Sequence, residues 1–207
     1  MFGTQNLGLF ITAGLLLNMT PGPDTFYILG RSIGQGRAAG IASALGISTG
    51  CLVHTIAVAL GLSALLLKWP VLFQVIRFAG AAYLVYLGCR LVLTKASTAR
   101  GPLLEPQDSW AIYRQAILTN VLNPKVALFF LAFLPQFVAP TAQSTAATLV
   151  FLGLVFIFNG TLWCLALALF ASTLNRVLQR NAGAGTWMNR GLGVLLLGLG
   201  VRLGIGR

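Results

Sequence analysis

Apolar stretches follow one another along the whole chain, separated by short polar or basic connections. Their length of about 20 residues is what a helix needs to cross the hydrocarbon core of a bilayer. The pattern predicts six spans, at 7–29, 40–67, 71–93, 111–134, 145–172 and 187–203. One connection is longer than the rest: it runs over 94–110, carries Pro102 and Pro106, and holds Glu105 and Asp108, two of the three acidic residues. It divides a single membrane domain, 1–207, into a first three-helix repeat at 1–95, a linker at 96–109 and a second three-helix repeat at 110–207. The expected fold is therefore all-α, a polytopic membrane protein with six transmembrane helices.

Composition supports that class. Hydrophobic residues make up 57% of the chain and charged residues 8%, with a mean hydropathy of +0.86. A soluble domain carries about 25% charged residues, so too few are present here to cover a water-facing surface. Residues 1–7 contain no Lys or Arg, and the segment reads as the start of a retained span, not a signal peptide. Cys51, Cys89 and Cys164 fall inside apolar stretches with no metal or redox spacing, which marks them as packing residues.

The net charge of +11 changes the picture only in its placement. A nucleic-acid binder wants a basic stripe with interleaved aromatics, whereas here the bases sit mostly between spans. Nine of them, among them Arg31, Arg37, Arg90, Arg114 and Arg190, cluster at the odd-numbered connections, against Lys68, Arg202 and Arg207 on the other side. The positive-inside rule then places the odd connections in the cytoplasm and both termini in the periplasm. The partners expected are the lipid bilayer and a small solute, with no nucleic acid.

Two interruptions stand out. Thr20-Pro21-Gly22-Pro23 breaks the first span and Asn123-Pro124 the fourth, with Pro21 and Pro124 separated by about half the chain. Each proline follows a residue able to cap a helix, and proline suits the first helical position. Both read as helix restarts inside a span. With three spans per half, the second half enters from the opposite side, an inverted-topology repeat. In transporters built this way, half-helix N-termini face a central site. The alternative is a pair of ordinary proline kinks.

Ionisable groups in the spans are few, and a charge at mid-bilayer costs about 2.5–3.5 kcal/mol. Asp24 and Lys125 each follow a break directly. Asp24 suits the positive end of a helix, while Lys125 does not unless an anion is near. That anion is either Asp24 across the repeat axis, in a permanent ion pair, or a substrate carboxylate. His54, the single histidine, shares a small-residue stripe with Ala42, Gly46 and Gly50, which puts it at a helix–helix seam. It is either a proton carrier or an interhelical hydrogen-bonding group. Asn120, Asn123 and Asn159 are further polar groups, with Asn159-Gly160-Thr161 a candidate for a smaller irregularity. Arg77, Tyr83 and Tyr86 suit an interface.

Enzymatic readings fail on context. Gly46-Ile47-Ser48-Thr49-Gly50 matches a nucleophile-elbow spacing, but that motif needs a strand-to-helix turn and here lies within an apolar helix. An aspartyl protease needs a second intramembrane acid beside Asp24. One His and one Asp make no metal set, and no cofactor is expected.

The chain resembles the LysE/RhtB family of amino-acid exporters. The likeness rests on Thr20-Pro21-Gly22-Pro23-Asp24, on Gly40 through Gly50 to His54, on Arg77-Phe78-Ala79-Gly80 through Leu87-Gly88, and on Leu118 through Asn123-Pro124-Lys125 to Leu134-Pro135-Gln136-Phe137. It covers nearly the whole chain. The resemblance implies efflux of amino acids or close derivatives, driven by the proton gradient. Pro21-Gly22-Pro23 is closer to the homoserine/threonine-type branch; the lysine/arginine-type branch more often has leucine at the position of Pro21 and glutamine at that of Asp24. The expectation is a proton-coupled exporter of the bacterial inner membrane. Its substrate site comprises Thr20, Pro21, Gly22, Pro23, Asp24, Asn120, Asn123, Pro124 and Lys125, with Asp24 or His54 carrying the proton. The alternatives are efflux of another solute, such as a metal cation, and a non-transporting scaffold. The glycines of the last span, Gly193, Gly198, Gly200 and Gly204, pack within the subunit or form a homodimer.

Overall fold

The computed structural model describes residues 3–62, 70–93, 107–180 and 182–205. Lys68, Pro102, Glu105, Pro106 and Arg207, together with Lys95 and Arg100 of the nine bases counted for orientation, lie outside the described residues.

Eight helices follow in chain order: α1 (Leu7–Met19), α2 (Pro23–Gln35), α3 (Arg37–Ala57, extended by a wide π-type turn at Val58–Leu62), α4 (Pro70–Leu93), α5 (Ser109–Val121), α6 (Pro124–Leu128), α7 (Thr145–Arg180) and α8 (Ala182–Ile205). After α6 the chain continues helically through a π-type turn at Phe129–Phe133 and a 3-10 turn at Leu134–Phe137. Among the described residues the sole β contact is an isolated bridge between Thr4 and Val138. The protein is an all-α polytopic membrane protein. Three described helices are long and apolar enough to cross a bilayer unaided, within 37–61, 74–93 and 145–171, and Ser109–Val121 with Pro124–Phe137, bent by 49° at the break, is long and apolar enough only when the two are taken together. α1, with 13 residues, is short of that length alone.

Helix ends follow local chemistry. Asp108 starts α5 by accepting the N–H groups of Trp110 and Ala111, both at 2.9 Å. Between α2 and α3 the chain turns at Gly36, whose φ of +88° lies in the region that glycine alone adopts without strain.

Close approach is set by glycines. α3 packs along α5 and α7. A side chain at Gly46 would meet the Tyr113 carbonyl and Ala116, and one at Gly50 would meet the side chain of Asn120. The small-residue stripe that ends at His54 is thus the α3–α5 seam, as its spacing indicates. On the other side α4 runs along α8, where Gly88 and Gly193 face each other's carbonyls and Gly200 lies against Ala81 and Val85. Gly193 and Gly200 therefore pack within the subunit. Gly198 has open space beyond it. One core cluster joins α1, α6 and α7 through the rings of Phe10, Phe129, Phe130, Phe133, Phe137 and Phe156. The Phe129 and Phe156 centroids are 4.9 Å apart, and Phe130 meets Phe156 edge-on at 5.2 Å.

Candidate functional site

Both breaks exist, and they differ in construction. At the second, Asn123 is the helix cap: its side-chain oxygen accepts the Lys125 N–H at 3.0 Å, and Pro124 takes the first helical position. At the first, the new helix starts two residues later than expected, at Pro23, with Gly22 as its cap residue. Thr20 does not open α2. It closes α1, donating its hydroxyl to the Leu16 carbonyl at 2.8 Å and its N–H to the carbonyls of Leu16 and Leu17. A hydroxyl four residues from a carbonyl on the same helix turns back on that helix, which is why Thr20 serves the preceding segment. Pro21 and Gly22 form the non-helical link between the two segments.

The two breaks meet through Lys125. Its side chain is buried, and Nζ donates to the carbonyls of Thr20 at 2.8 Å and Leu17 at 3.1 Å. These belong to the end of α1, where unsatisfied carbonyls carry partial negative charge. That helix end is the anionic partner that Lys125 lacks at its own helix start, and it takes the place of the Asp24 ion pair considered from sequence. Gly22 allows the approach: a Cβ there would stand 3.2 Å from Nζ. An ammonium has three N–H bonds, so two go to carbonyls and one is left for the adjacent cavity.

Asp24, half-buried in the first turn of α2, is held from α5 instead. Its Oδ2 accepts from Asn120 Nδ2 at 2.8 Å, and Asn120 is fully buried. His54 stands behind Asn120, with Nε2 3.2 Å from the Asn120 carbonyl and its ring stacked on Phe130 at 5.7 Å. Since a carbonyl only accepts, Nε2 carries the proton in that contact.

Asp24 and Lys125 line a cavity between the breaks, α3 and α7. Asn18, Thr25, Ser48 and Thr161 complete its polar side, with the Ser48 and Thr161 hydroxyls 2.7 Å apart across the α3–α7 contact. Ile47, Val126, Ile157, Cys51 and Cys164 form an apolar side, and Trp163 joins it. About 20 Å³ is open to the centre of a water-sized molecule, room for about one water and not for an amino acid. The cavity is closed around its polar groups. Three of these have no hydrogen-bond partner: Asp24 Oδ1, Asn18 Nδ2 and Trp163 Nε1. An unpaired buried polar atom costs about 1–3 kcal/mol, and all three belong to residues that line this one cavity.

A profile of LysE-type translocators matches residues 15–207, a range that includes both breaks and every residue of the cavity. The chain belongs to the LysE-type translocator family. It is similar to the leucine efflux protein of Enterobacter sp. (strain 638), at 27% identity over 98% of this chain and 96% of that one. It is also similar to the leucine efflux protein of Klebsiella pneumoniae, at 28% over the same shares, and to that of Salmonella typhimurium, at 30% over 71% of this chain and 70% of the relative. No solved structure matches it. As a LysE-type translocator it is an amino-acid transporter of the multi-pass membrane class.

Of the residues expected at the site, Asp24 and Lys125 reach the cavity. Thr20, Asn120 and Asn123 hydrogen-bond to these two, Gly22 lies against Lys125, Pro21 lies in the link after α1, and Pro23 and Pro124 open the two half-helices. His54 lies outside the lining, one residue removed. Asn159 is not a lining residue, and α7 passes through Asn159-Gly160-Thr161 without a break. Asn18, Ser48, Thr161, Trp163 and the two cysteines were not expected there. A usable signal was Gly160, a mid-helix glycine whose Cβ would stand 3.2 Å from Asn18.

Proposed function

We propose that this chain exports small, mostly neutral amino acids across the bacterial inner membrane in exchange for protons, with leucine the first candidate substrate. The observation that carries the reading is the cavity between the two helix breaks, with an unpaired carboxylate oxygen, a buried ammonium and unpaired donors beside an aliphatic wall. A zwitterion with an apolar side chain matches that set: an acid for its ammonium, N–H donors for its carboxylate, and Ile47, Val126 and Ile157 for its side chain. The names of the similar leucine efflux proteins agree with an aliphatic substrate.

In this reading Asp24 is the coupling group. It binds either the substrate ammonium or a proton at Oδ1, so each displaces the other, and Asn120 keeps Oδ2 in place for both. His54 would influence Asp24 only through Asn120. The chain would hold six spans in two inverted halves with both termini periplasmic, and rocking of the halves about the Lys125–Thr20 contact would open the closed cavity to either side. Labelled leucine in inverted membrane vesicles tests the reading. Uptake should be driven by an imposed pH gradient and should collapse when the gradient is dissipated. In Asp24→Asn, leucine exchange should persist while the gradient no longer drives accumulation. Vesicles that accumulate neither leucine nor any other neutral amino acid would overturn it.

A further inference from the structure

We infer that Trp163 and Asn18 form the subsite for the substrate's α-carboxylate, and so make the transporter select amino acids over the corresponding amines. The inference rests on the reading of the cavity as the substrate site. Trp163 Nε1 and Asn18 Nδ2 are buried donors without a partner, and both residues line the same void as Asp24 and Lys125. An indole N–H donates and never accepts, so Trp163 asks for an acceptor from whatever occupies the void. Neighbouring helices are shaped around this arrangement: Gly160 on α7 leaves room for Asn18, where a Cβ would stand 3.2 Å from its Nδ2.

Lys125 alone does not make a carboxylate subsite. Two of its N–H bonds are committed to Leu17 and Thr20, and the carboxylate has two oxygens with several acceptor positions. One remaining N–H of Lys125 with those of Trp163 and Asn18 gives three donors. Among the residues that line the cavity, Asp24 Oδ1 is the unpaired acceptor and carries the negative charge, so the ammonium goes there and orients the molecule. A substrate with its carboxylate removed leaves the Trp163 and Asn18 donors unpaired again, which is how hydrogen-bonding sites reject analogues lacking the matching group.

The test compares leucine with isoamylamine, which keeps the amine and the branched side chain but lacks the carboxylate. Each competes with labelled leucine for uptake into inverted vesicles. In the unaltered protein leucine should compete at least about 30-fold better than isoamylamine. Trp163→Phe keeps most of the ring and removes the N–H, and Asn18→Leu keeps the volume and removes the amide. In each, the apparent KM for leucine should rise about 10-fold while competition by isoamylamine stays unchanged, so the gap narrows to a few-fold. Size-exclusion chromatography confirms folding, and either variant suffices if the other fails to fold. Equal weakening of both compounds, or a gap as wide as in the unaltered protein, would overturn the inference and leave the export function standing. If the unaltered protein moves no amino acid at all, the reading of the site itself fails.

Discussion

Two buried polar clusters join α2 to later helices of this transporter, and one of them lines a small cavity with unpaired groups. The cavity cluster gathers Asp24, Lys125, Asn18 and Trp163, with three buried polar atoms lacking partners. The other lies at the far end of α2. There Arg31, buried, donates from NH1 to Gln35 at 2.6 Å and from NH2 to Gln107 at 2.8 Å and Gln115 at 2.9 Å. Gln35 donates to the Gln107 carbonyl, Tyr27 donates to the Ile112 carbonyl, and the guanidinium sits over the Tyr27 ring at 5.5 Å. Each cluster holds a buried cation, Lys125 against the carbonyl end of α1 and Arg31 between α2 and α5. The Arg31 cluster ties α2 to α5 through the contacts of Arg31 and Tyr27 and works as a clamp. In the cavity the same kind of chemistry is held apart around open space, with three polar atoms left unpaired.

That contrast can be broken by substitution. The largest effect is expected at the cavity: Lys125→Ala removes two charge-assisted bonds and the link between the breaks, and leucine efflux should fall on the order of 100-fold or more, with membrane insertion unchanged by blotting. Asp24→Ala should do the same. At the clamp, Arg31→Leu strands the glutamine acceptors and should lower unfolding stability in detergent by about 2–4 kcal/mol. Transport per folded molecule should change by less than about threefold, the order of an indirect effect. A loss of transport without loss of stability would make Arg31 part of the pathway and dissolve the comparison. Gly160→Ala crowds Asn18 and should raise the leucine KM about fivefold in vesicle assays. Asn123→Ala removes a helix cap and should cost about 1 kcal/mol of stability, the smallest of these changes.

How far the site was legible follows from the range of the signals. The break at Asn123-Pro124 was readable because capping and the proline position are both local, and Lys125 sits one residue on. The break at Pro21 was readable, but its cap assignment was not: Thr20 has carbonyls of α1 within reach, and whether its hydroxyl turns back or forward depends on where the chain goes next. Trp163 and Cys164 carry no local signal at all, since an aromatic or thiol on an apolar helix is ordinary packing until a void is found beside it. The clamp was missed for the same reason, Arg31 counting in sequence as a basic residue of a connection.

The sequence by itself determined the membrane class, the helical fold, the positions of both interruptions and the family, because each depends on residue type and spacing along one strand of chain. Only the tertiary structure decided that Lys125 answers the carbonyl end of α1 and not Asp24, that Asn120 holds Asp24, and that Asn18 and Trp163 face the same void. Those pairings join residues 96 to 145 positions apart. Hydrogen bonds and unpaired donors are facts about distance in space, and helix packing, set here by glycines on α3, α4 and α7, is what brings those distances into range.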